Sequence, residues 1–319
     1  MAPRPDLICC GKNMTVLVAT SVVRGSRQGE SHGGVYLVHL DRDRVIQTID
    51  WNTTDIDWQG RGWDRGLRGI EFDGDRVYIA ASDELFVYDP SFRRIASYRS
   101  PYLKHCHEIS RYQRRLFLTS TGFDSILGFD LDAQQFSWGL HIGDEEQQFI
   151  ATAFDPAGTK GPQPGNHLHL NNVCAMERGL YLSGLNTKGL LKFDGRRVRR
   201  TVTLPQGVHN ARPFRDGVLF NDSPADVVRY ETPDSQTVFP VPRYEADFLT
   251  HTDLEDSRVA RQAFGRGLCV IDDFRIATGS SPSTIAVHDL DSGETTMTVT
   301  LSRDIRNAIH GLEVWPFDA

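Results

Sequence analysis

Four of the eleven histidines in this 319-residue chain stand just before or at the start of short apolar segments. They are His107, His169, His209 and His310. Imidazole is the commonest metal-binding side chain and suits zinc, copper, iron and nickel ions. If the fold brings the four rings together, they predict a site for one transition-metal ion. The alternatives are a cluster that hydrogen-bonds to backbone and water, or metal-free histidines that bind or activate a substrate.

Charged residues accompany these histidines. Arg68 and Arg266 hold the matching position in two further segments, and a planar guanidinium binds carboxylate or phosphate through two hydrogen bonds. They predict an anchor for a small anionic organic substrate. Glu108, Glu71 and Glu313 are candidates to accept the second N–H of a metal-bound imidazole, and we assign Glu108 a catalytic role. Ion pairs between arginine and glutamate along a channel are an equally good interpretation.

Three other histidines have open roles. His105 and His167 lie two residues before His107 and His169, and residues i and i+2 of a strand share a face. They are alternative ligands or supporting groups. His251, in a polar segment, is either a ligand or proton shuttle on a lid or a solvated loop residue.

The elements that must position these side chains are repeated strands. Alternation with period two dominates the chain, and Gly, Asp and Asn turns separate short apolar segments. The unit that starts at Arg68 contains four such segments and ends near Ser100. Similar units start at His107, Asn171, His209 and Arg266.

The two ends of the chain complete this pattern. His310-Gly311-Leu312-Glu313-Val314 resembles the start of the first unit, and the segments MTVLVATS, GVYLVHLD and VIQTIDW near the N-terminus supply the missing strands. The sequence therefore predicts an all-β fold: a six-bladed β-propeller, a single domain over 1–319, closed by pairing of the N- and C-terminal strands. A seventh blade would require hidden strands in 139–166 or 244–264.

Three longer segments precede inner strands: 51–66, 139–166 and 244–264. Because inner strands begin on one face of a propeller, we expect these insertions to be loops over an axial site. Surface decoration is the alternative.

Composition narrows the class of protein. The net charge of −7 argues against nucleic acid or an anionic membrane as the partner, and no apolar run approaches the length of a transmembrane helix. No signal peptide is evident, so we predict a cytoplasmic protein. Five cysteines without a CxxC pair support neither a disulfide framework nor a cysteine zinc site.

The stretches HEISRYQRRLFLTSTGFDSILGFD, NHLHLNNVCA, GVHNARPF and FGRGLCVIDDFRIATGSS occur in this order over about 105–280. Together they resemble a family of bacterial propeller-like proteins with His-Asp-Ile, Cys-His-Leu-Asn-Gly, Pro-His-Ser-Pro-Arg and Arg-Gly-Leu-Ala-Phe motifs. His107, His169, His209 and Arg266 fall on the motif positions, whereas Leu168 and 210–211 depart from them. The resemblance implies that these residues form a functional set, and it implies no particular activity.

These observations predict a metal-dependent enzyme that acts on a small anionic organic molecule. All-histidine ligation favours oxygen-activating iron or copper chemistry. The alternatives are a redox-neutral lyase, cyclase or hydrolase with zinc or manganese, and a non-catalytic propeller that binds a protein or peptide. A calcium-dependent lactonase fits least, because such sites use Glu, Asn and Asp. The sequence predicts no oligomeric state.

Overall fold

A computed structural model describes residues 15–27, 29–42, 44–52, 66–145, 148–254 and 261–318. Within these ranges the chain forms six antiparallel sheets and three single 3₁₀ turns. Five sheets have four strands and one has five. No helix in the described ranges is both long and apolar enough to cross a bilayer.

The strands follow the predicted repeat. Up to the end of the second complete unit they are β1 (Val16–Val23), β2 (Gly34–His39), β3 (Arg44–Asp50), β4 (Ile70–Asp73), β5 (Arg76–Ala81), β6 (Glu84–Tyr88), β7 (Arg94–Arg99), β8 (Ile109–Tyr112), β9 (Arg115–Ser120), β10 (Ser125–Asp130), β11 (Gln135–Glu145) and β12 (Gln148–Phe154). The others are β13 (Leu170–Met176), β14 (Gly179–Gly184), β15 (Gly189–Phe193), β16 (Val198–Thr203), β17 (His209–Phe214), β18 (Gly217–Asp222), β19 (Val227–Glu231), β20 (Gln236–Pro240), β21 (Leu268–Val270), β22 (Arg275–Ser280), β23 (Thr284–Asp289), β24 (Glu294–Thr300) and β25 (Asn307–Val314).

Each sheet is one blade. We number them in chain order: blade 1 is β4–β7, blade 2 is β8–β12, blade 3 is β13–β16, blade 4 is β17–β20 and blade 5 is β21–β24. In blade 6 the C-terminal β25 pairs antiparallel with β1, followed by β2 and β3. The predicted six-bladed propeller and its closure by the two chain ends are therefore confirmed.

Burial explains the residue pattern of the strands. The middle strands β5 and β6 are buried along nearly their whole length, because neighbouring blades cover both faces. The outer strand β7 instead alternates between half-buried and exposed residues. Apolar clusters fill the spaces between blades, and the cluster between blades 2 and 3 contains Ile126, Leu140, Val173 and Leu191.

Two insertions are partly described. Segment 139–166 is not wholly a loop: β11 extends to Glu145 and β12 pairs with it as a fifth strand, so only 155–166 returns as loop. The prediction of a loop over the whole segment is wrong, because β12 pairs with β11 along its whole length and extends the sheet. Residues 244–254 contain two 3₁₀ turns and form no blade. Residues 53–65 and 255–260 lie outside the described residues.

Glycines let the inner strands converge. A Cβ added at Gly311 would lie 2.3 Å from the Arg68 carbonyl oxygen, and one at Gly69 would lie 2.6 Å from the Ile109 nitrogen. Gly69 follows Arg68 and Gly311 follows His310, and at both positions the backbone of the neighbouring blade passes too close for a side chain. Glycine after these two members of the site is therefore required by the close approach of the inner strands.

Candidate functional site

The inner strands bring six predicted residues to one end of the channel. Each lies within two residues of the start of its inner strand or, in the last blade, within the strand itself. We call this set the upper ring: Arg68, His107, His169, His209, Arg266 and His310.

The imidazoles of the upper ring are neighbours. The ring centroids of His107 and His169 are 5.5 Å apart, and those of His107 and His310 are 6.0 Å apart. His209 lies within electrostatic range of two of these rings: the charge of His169 helps to lower the pKa of His209, and the charge of His209 helps to lower the pKa of His310. The structure therefore brings together all four histidines that the sequence predicts as one set.

Arg266 is bonded to one of these rings. Its Nη1 donates to Nε2 of His310 at 3.0 Å, and its guanidinium lies 4.6 Å from the ring centroid of Phe264. Arg266 is 7% exposed, and no carboxylate of the described residues forms an ion pair with it. The accepting Nε2 must be unprotonated, which fixes His310 as a neutral imidazole with its proton on Nδ1.

His209 has a defined tautomer as well. Ser223 Oγ donates to the Gly265 carbonyl at 2.8 Å, so it accepts from His209 Nδ1, which lies 2.8 Å away. Nδ1 therefore carries the proton and Nε2 has the lone pair. That Nε2 is buried and has no hydrogen-bond partner among the described residues. An unpaired acceptor of this kind suits a metal ion or a ligand donor.

The environment keeps the histidines neutral. Burial, and then the charges of Arg68, His169 and Arg266, lower the pKa of His107 well below its usual range. Burial, followed by Arg266 and Arg68, lowers the pKa of His169 to about 4. Burial is also the largest cause of the lowered pKa values of His209 and His310. Neutral imidazoles are the form that binds metals and that accepts hydrogen bonds from arginine.

Two arginines increase the positive charge around these rings. Arg68 is 2% exposed, and burial together with the charge of Arg24 lowers its pKa to about 9. Arg24 lies after β1 with its guanidinium 5.4 Å from the centroid of Phe264, and burial lowers its pKa too. Sequence reasoning missed Arg24 and Phe264. The dipeptide Arg24-Gly25 was the available signal, since Arg-Gly also stands at 68–69 and 266–267.

A second cluster lies further along the inner strands. Glu71, Arg212 and Glu313 each come three residues after a member of the upper ring, and Glu108 follows His107 directly. The offset of three, rather than two, arises in blade 4 from a β-bulge between His209 and Arg212. We call Glu71, Glu108, Arg212 and Glu313 the lower cluster.

Carboxylates surround one cation in the lower cluster. Burial raises the pKa of Glu108 to about 7 and that of Glu313 to about 8, and in both cases the charge of Arg212 opposes the rise. Burial likewise raises the pKa of Glu71. Glu313 Oε1 lies 4.0 Å from Arg212 Nη2. Arg212 thus offsets charges that would otherwise be costly to bury.

The position of Glu108 differs from the predicted one. Its Oε2 accepts from Nδ2 of Asn210 at 2.9 Å and its Oε1 accepts from the Ile109 N–H at 3.2 Å. Glu71 accepts from the backbone N–H groups of Phe72 and Arg111. In the described residues none of these hydrogen bonds reaches an imidazole. The predicted carboxylate–histidine contact is therefore not formed in this arrangement.

The structure places the three histidines with undecided roles in different environments. The charge of His105 helps to lower the pKa of His169, and burial and then the charge of Arg68 lower the pKa of His105 to about 4. His105 therefore lies beside the upper ring. His167 is exposed, and its backbone N–H donates to Asp124. His251 is 46% exposed, with Nδ1 3.4 Å from Asp304 Oδ2.

The fit of a metal ion is incomplete. Imidazoles that bind one ion at about 2.0–2.1 Å have ring centroids about 5 Å apart. The separations around His107 are slightly larger, and Arg266 already occupies Nε2 of His310. In the described part of the chain, no three His, Cys, Asp or Glu side chains are arranged to hold an ion. His107 would need to move closer to His169 and His310, and Arg266 would need to release His310, for these rings to hold an ion.

Comparisons with known proteins show the fold alone. No protein-family model and no curated protein matches the sequence. A chain of the nidogen/laminin complex is 11% identical with a TM-score of 0.57, covering 95% of this chain and 98% of that chain. A protein of unknown function from Bacteroides caccae is 8% identical with a TM-score of 0.57, covering 96% and 100%. The WD40 β-propeller domain of Doa1 is 14% identical with a TM-score of 0.42, covering 75% and 71%.

The sheet order defines the class of protein: a six-bladed β-propeller closed by its two chain ends. What the propeller does must be argued from the channel.

Proposed function

We propose that the upper ring is an enzyme active site for a small organic anion. The observation that carries the proposal is Arg266, a buried guanidinium that donates to a neutral imidazole and has no carboxylate partner in the described residues. Burying a cation without an opposite charge is costly, and a bound anion would offset that cost. Arg68, also buried, would act with it.

The residues have distinct roles in this proposal. Arg266 and Arg68 bind the anionic group. When Arg266 turns toward that group, its hydrogen bond to His310 is released and Nε2 of His310 becomes available. Nε2 of His209 already faces the site without a partner. The two nitrogens can then accept protons or hydrogen bonds from the substrate. Glu108, held by Asn210, lies just beyond the ring and contributes negative charge when ionised.

A metal ion forms the second part of the proposal. His107, His169, His209 and His310 would hold one transition-metal ion after Arg266 releases His310 and the rings move closer together. Their neutral state favours this. Iron or copper would supply oxygen-activating chemistry, whereas zinc or manganese would supply Lewis-acid chemistry for a lyase, cyclase or hydrolase. The positive arginines favour an anionic co-ligand on the ion. The small-molecule substrate, the absence of nucleic-acid and membrane partners, and the cytoplasmic location are parts of the same proposal.

Anion binding is tested by thermal unfolding in acetate, succinate, citrate and phosphate. We expect at least one multiply charged anion to raise Tm, and the rise to disappear in Arg266→Met. Arg275→Met is the matched control, because Arg275 pairs with Asp272 at the exposed turn between β21 and β22. If no anion raises Tm, or if Arg266→Met responds like the control, the proposal is wrong.

Metal content is measured on the same protein by elemental analysis. About one equivalent of iron, copper, zinc or manganese that is lost in His209→Ala supports the metal site and selects the chemistry. Protein that takes up none of these metals after reconstitution contradicts the metal site and leaves the anion site to its own test.

A further inference from the structure

A basic groove lies on the outer rim of the propeller, away from the channel. It runs between β12 at the edge of blade 2 and the outer strand β16 of blade 3, and its cavity volume is about 730 Å³. Both strands are the last in their sheets, so each has one edge without a strand partner in the described residues. Such edges offer N–H and C=O groups to an extended chain.

Four arginines line one side of this groove: Arg196, Arg197, Arg199 and Arg200. They fall within five residues of a chain whose net charge is −7. Arg199 pairs with Asp194 at 3.1 Å. Arg196 and Arg197 have no carboxylate partner among the described residues. The groove is therefore locally positive on an acidic protein.

The other side and the floor are apolar. Phe149 and Val198 belong to the cluster that fills the space between blades 2 and 3. Ile150 is 40% exposed, and the guanidinium of Arg200 lies 5.3 Å from the centroid of Phe149. The exposed Asp144 and Glu145 lie on β11, and no ion pair of the described residues joins them to these arginines.

We propose that this groove binds an extended acidic peptide segment of a partner protein, which pairs with a strand edge and places its carboxylates on the arginines. Strand pairing provides backbone hydrogen bonds at a fixed spacing, and alternate side chains then reach the two sides of the groove. An apolar residue next to each acidic one fits the floor formed by Phe149 and Val198. Nucleic acid would use the same arginines but has no use for the strand edges.

The probe is a fluorescein-labelled peptide of alternating glutamate and valine, followed by fluorescence anisotropy with the full-length protein. We expect binding that weakens with salt and falls at least tenfold in Arg196→Glu/Arg197→Glu. The matched control is Arg42→Glu/Arg44→Glu, which makes the same charge change at exposed positions of blade 6 and keeps full binding.

Two further probes separate the contributions. A peptide with glutamine for glutamate tests charge, and a peptide methylated on alternate backbone nitrogens tests strand pairing. We expect both to bind at least tenfold more weakly. Equal binding by the two double variants, equal binding by the methylated peptide, or tighter binding of a ten-residue oligothymidylate overturns the proposal. Because the groove is remote from Arg266, thermal stabilisation by small anions remains unchanged in Arg196→Glu/Arg197→Glu.

Discussion

The upper ring and the lower cluster occupy one channel but handle buried charge in different ways. The lower cluster surrounds Arg212 with three glutamates, so its charges offset one another within the protein. The upper ring joins Arg266 to a neutral imidazole instead, and no described carboxylate pairs with it. We propose that the lower cluster, whose charges are balanced within the protein, contributes to folding, and that the upper ring binds a ligand which supplies the missing negative charge.

The largest difference between the two regions should appear when each loses its arginine. In Arg212→Met the glutamates lose their cation, and we expect the free energy of unfolding at pH 8 to fall by about 3 kcal/mol. In Arg266→Met an uncompensated cation is removed, so we expect no loss or a gain. Urea unfolding of both variants measures this. Equal losses would show that the two regions have the same kind of charge balance.

The second difference concerns pH. His169 has its pKa lowered to about 4, so the unfolded chain binds more protons than the folded chain between about pH 4 and 6.5, and stability rises with pH there. Glu313 has its pKa raised from 4.5 to about 8, so the folded chain binds more protons between those values, and stability falls as pH rises. Between pH 6.5 and 8 Glu108, whose pKa is raised to about 7, and Glu313 both lower the stability as the pH rises.

Glu313→Gln isolates this effect. We expect the fall in unfolding free energy between pH 6.5 and 8 to become shallower, by at most about 1.4 kcal/mol per pH unit, because one titrating group is removed. The control His169→Asn should alter only the rise below pH 6.5. Urea unfolding at half-unit pH steps measures both slopes. A Glu313→Gln profile that matches the unmodified protein would mean that Glu313 is already ionised in the fold.

The repeats made the fold predictable from the sequence. Each blade can be recognised from its own sequence, through alternating apolar residues, turn residues and a nearly constant length. The segment at His310 completes the blade that the N-terminal strands begin. The upper ring was predictable for the same reason, since its members recur at one position of the repeat. The strand β12 was not, because its residues alternate less clearly and an unusual fifth strand has no repeated counterpart.

The lower cluster shows what local patterns leave out. A strand with period two would place residues i and i+2 on one face, yet Arg212 joins the channel three residues after His209 because a bulge intervenes. A bulge depends on pairing with the neighbouring strand. Arg24 was missed because it follows β1, the second strand of its blade, rather than an inner strand. The hydrogen bond from Asn210 to Glu108 was also unpredictable, because it joins residues of two different blades.

The smallest predicted effect tests whether fixed tautomers distinguish the upper ring. Ser223 accepts from Nδ1 of His209 and so keeps the lone pair on Nε2, whereas carboxylates of the lower cluster need no such orientation. In Ser223→Ala the backbone near Gly207 remains as an acceptor, so we expect the Nε2–H tautomer to appear as a minor form. Nitrogen-15 NMR of the imidazoles measures the two populations.

Ser281→Ala is the control for this experiment, because the Ser281 hydroxyl donates to the Arg261 carbonyl and contacts no imidazole among the described residues. We expect unfolding free energies within about 1 kcal/mol of the unmodified protein for both variants. Binding at the upper ring should weaken by less than about twofold in Ser223→Ala alone, because the tautomer with the lone pair on Nε2 remains the major form. If His209 in the unmodified protein carries its proton on Nε2, the nitrogen that faces the channel is a donor. The site would then select a hydrogen-bond acceptor there, and no metal could bind to that nitrogen.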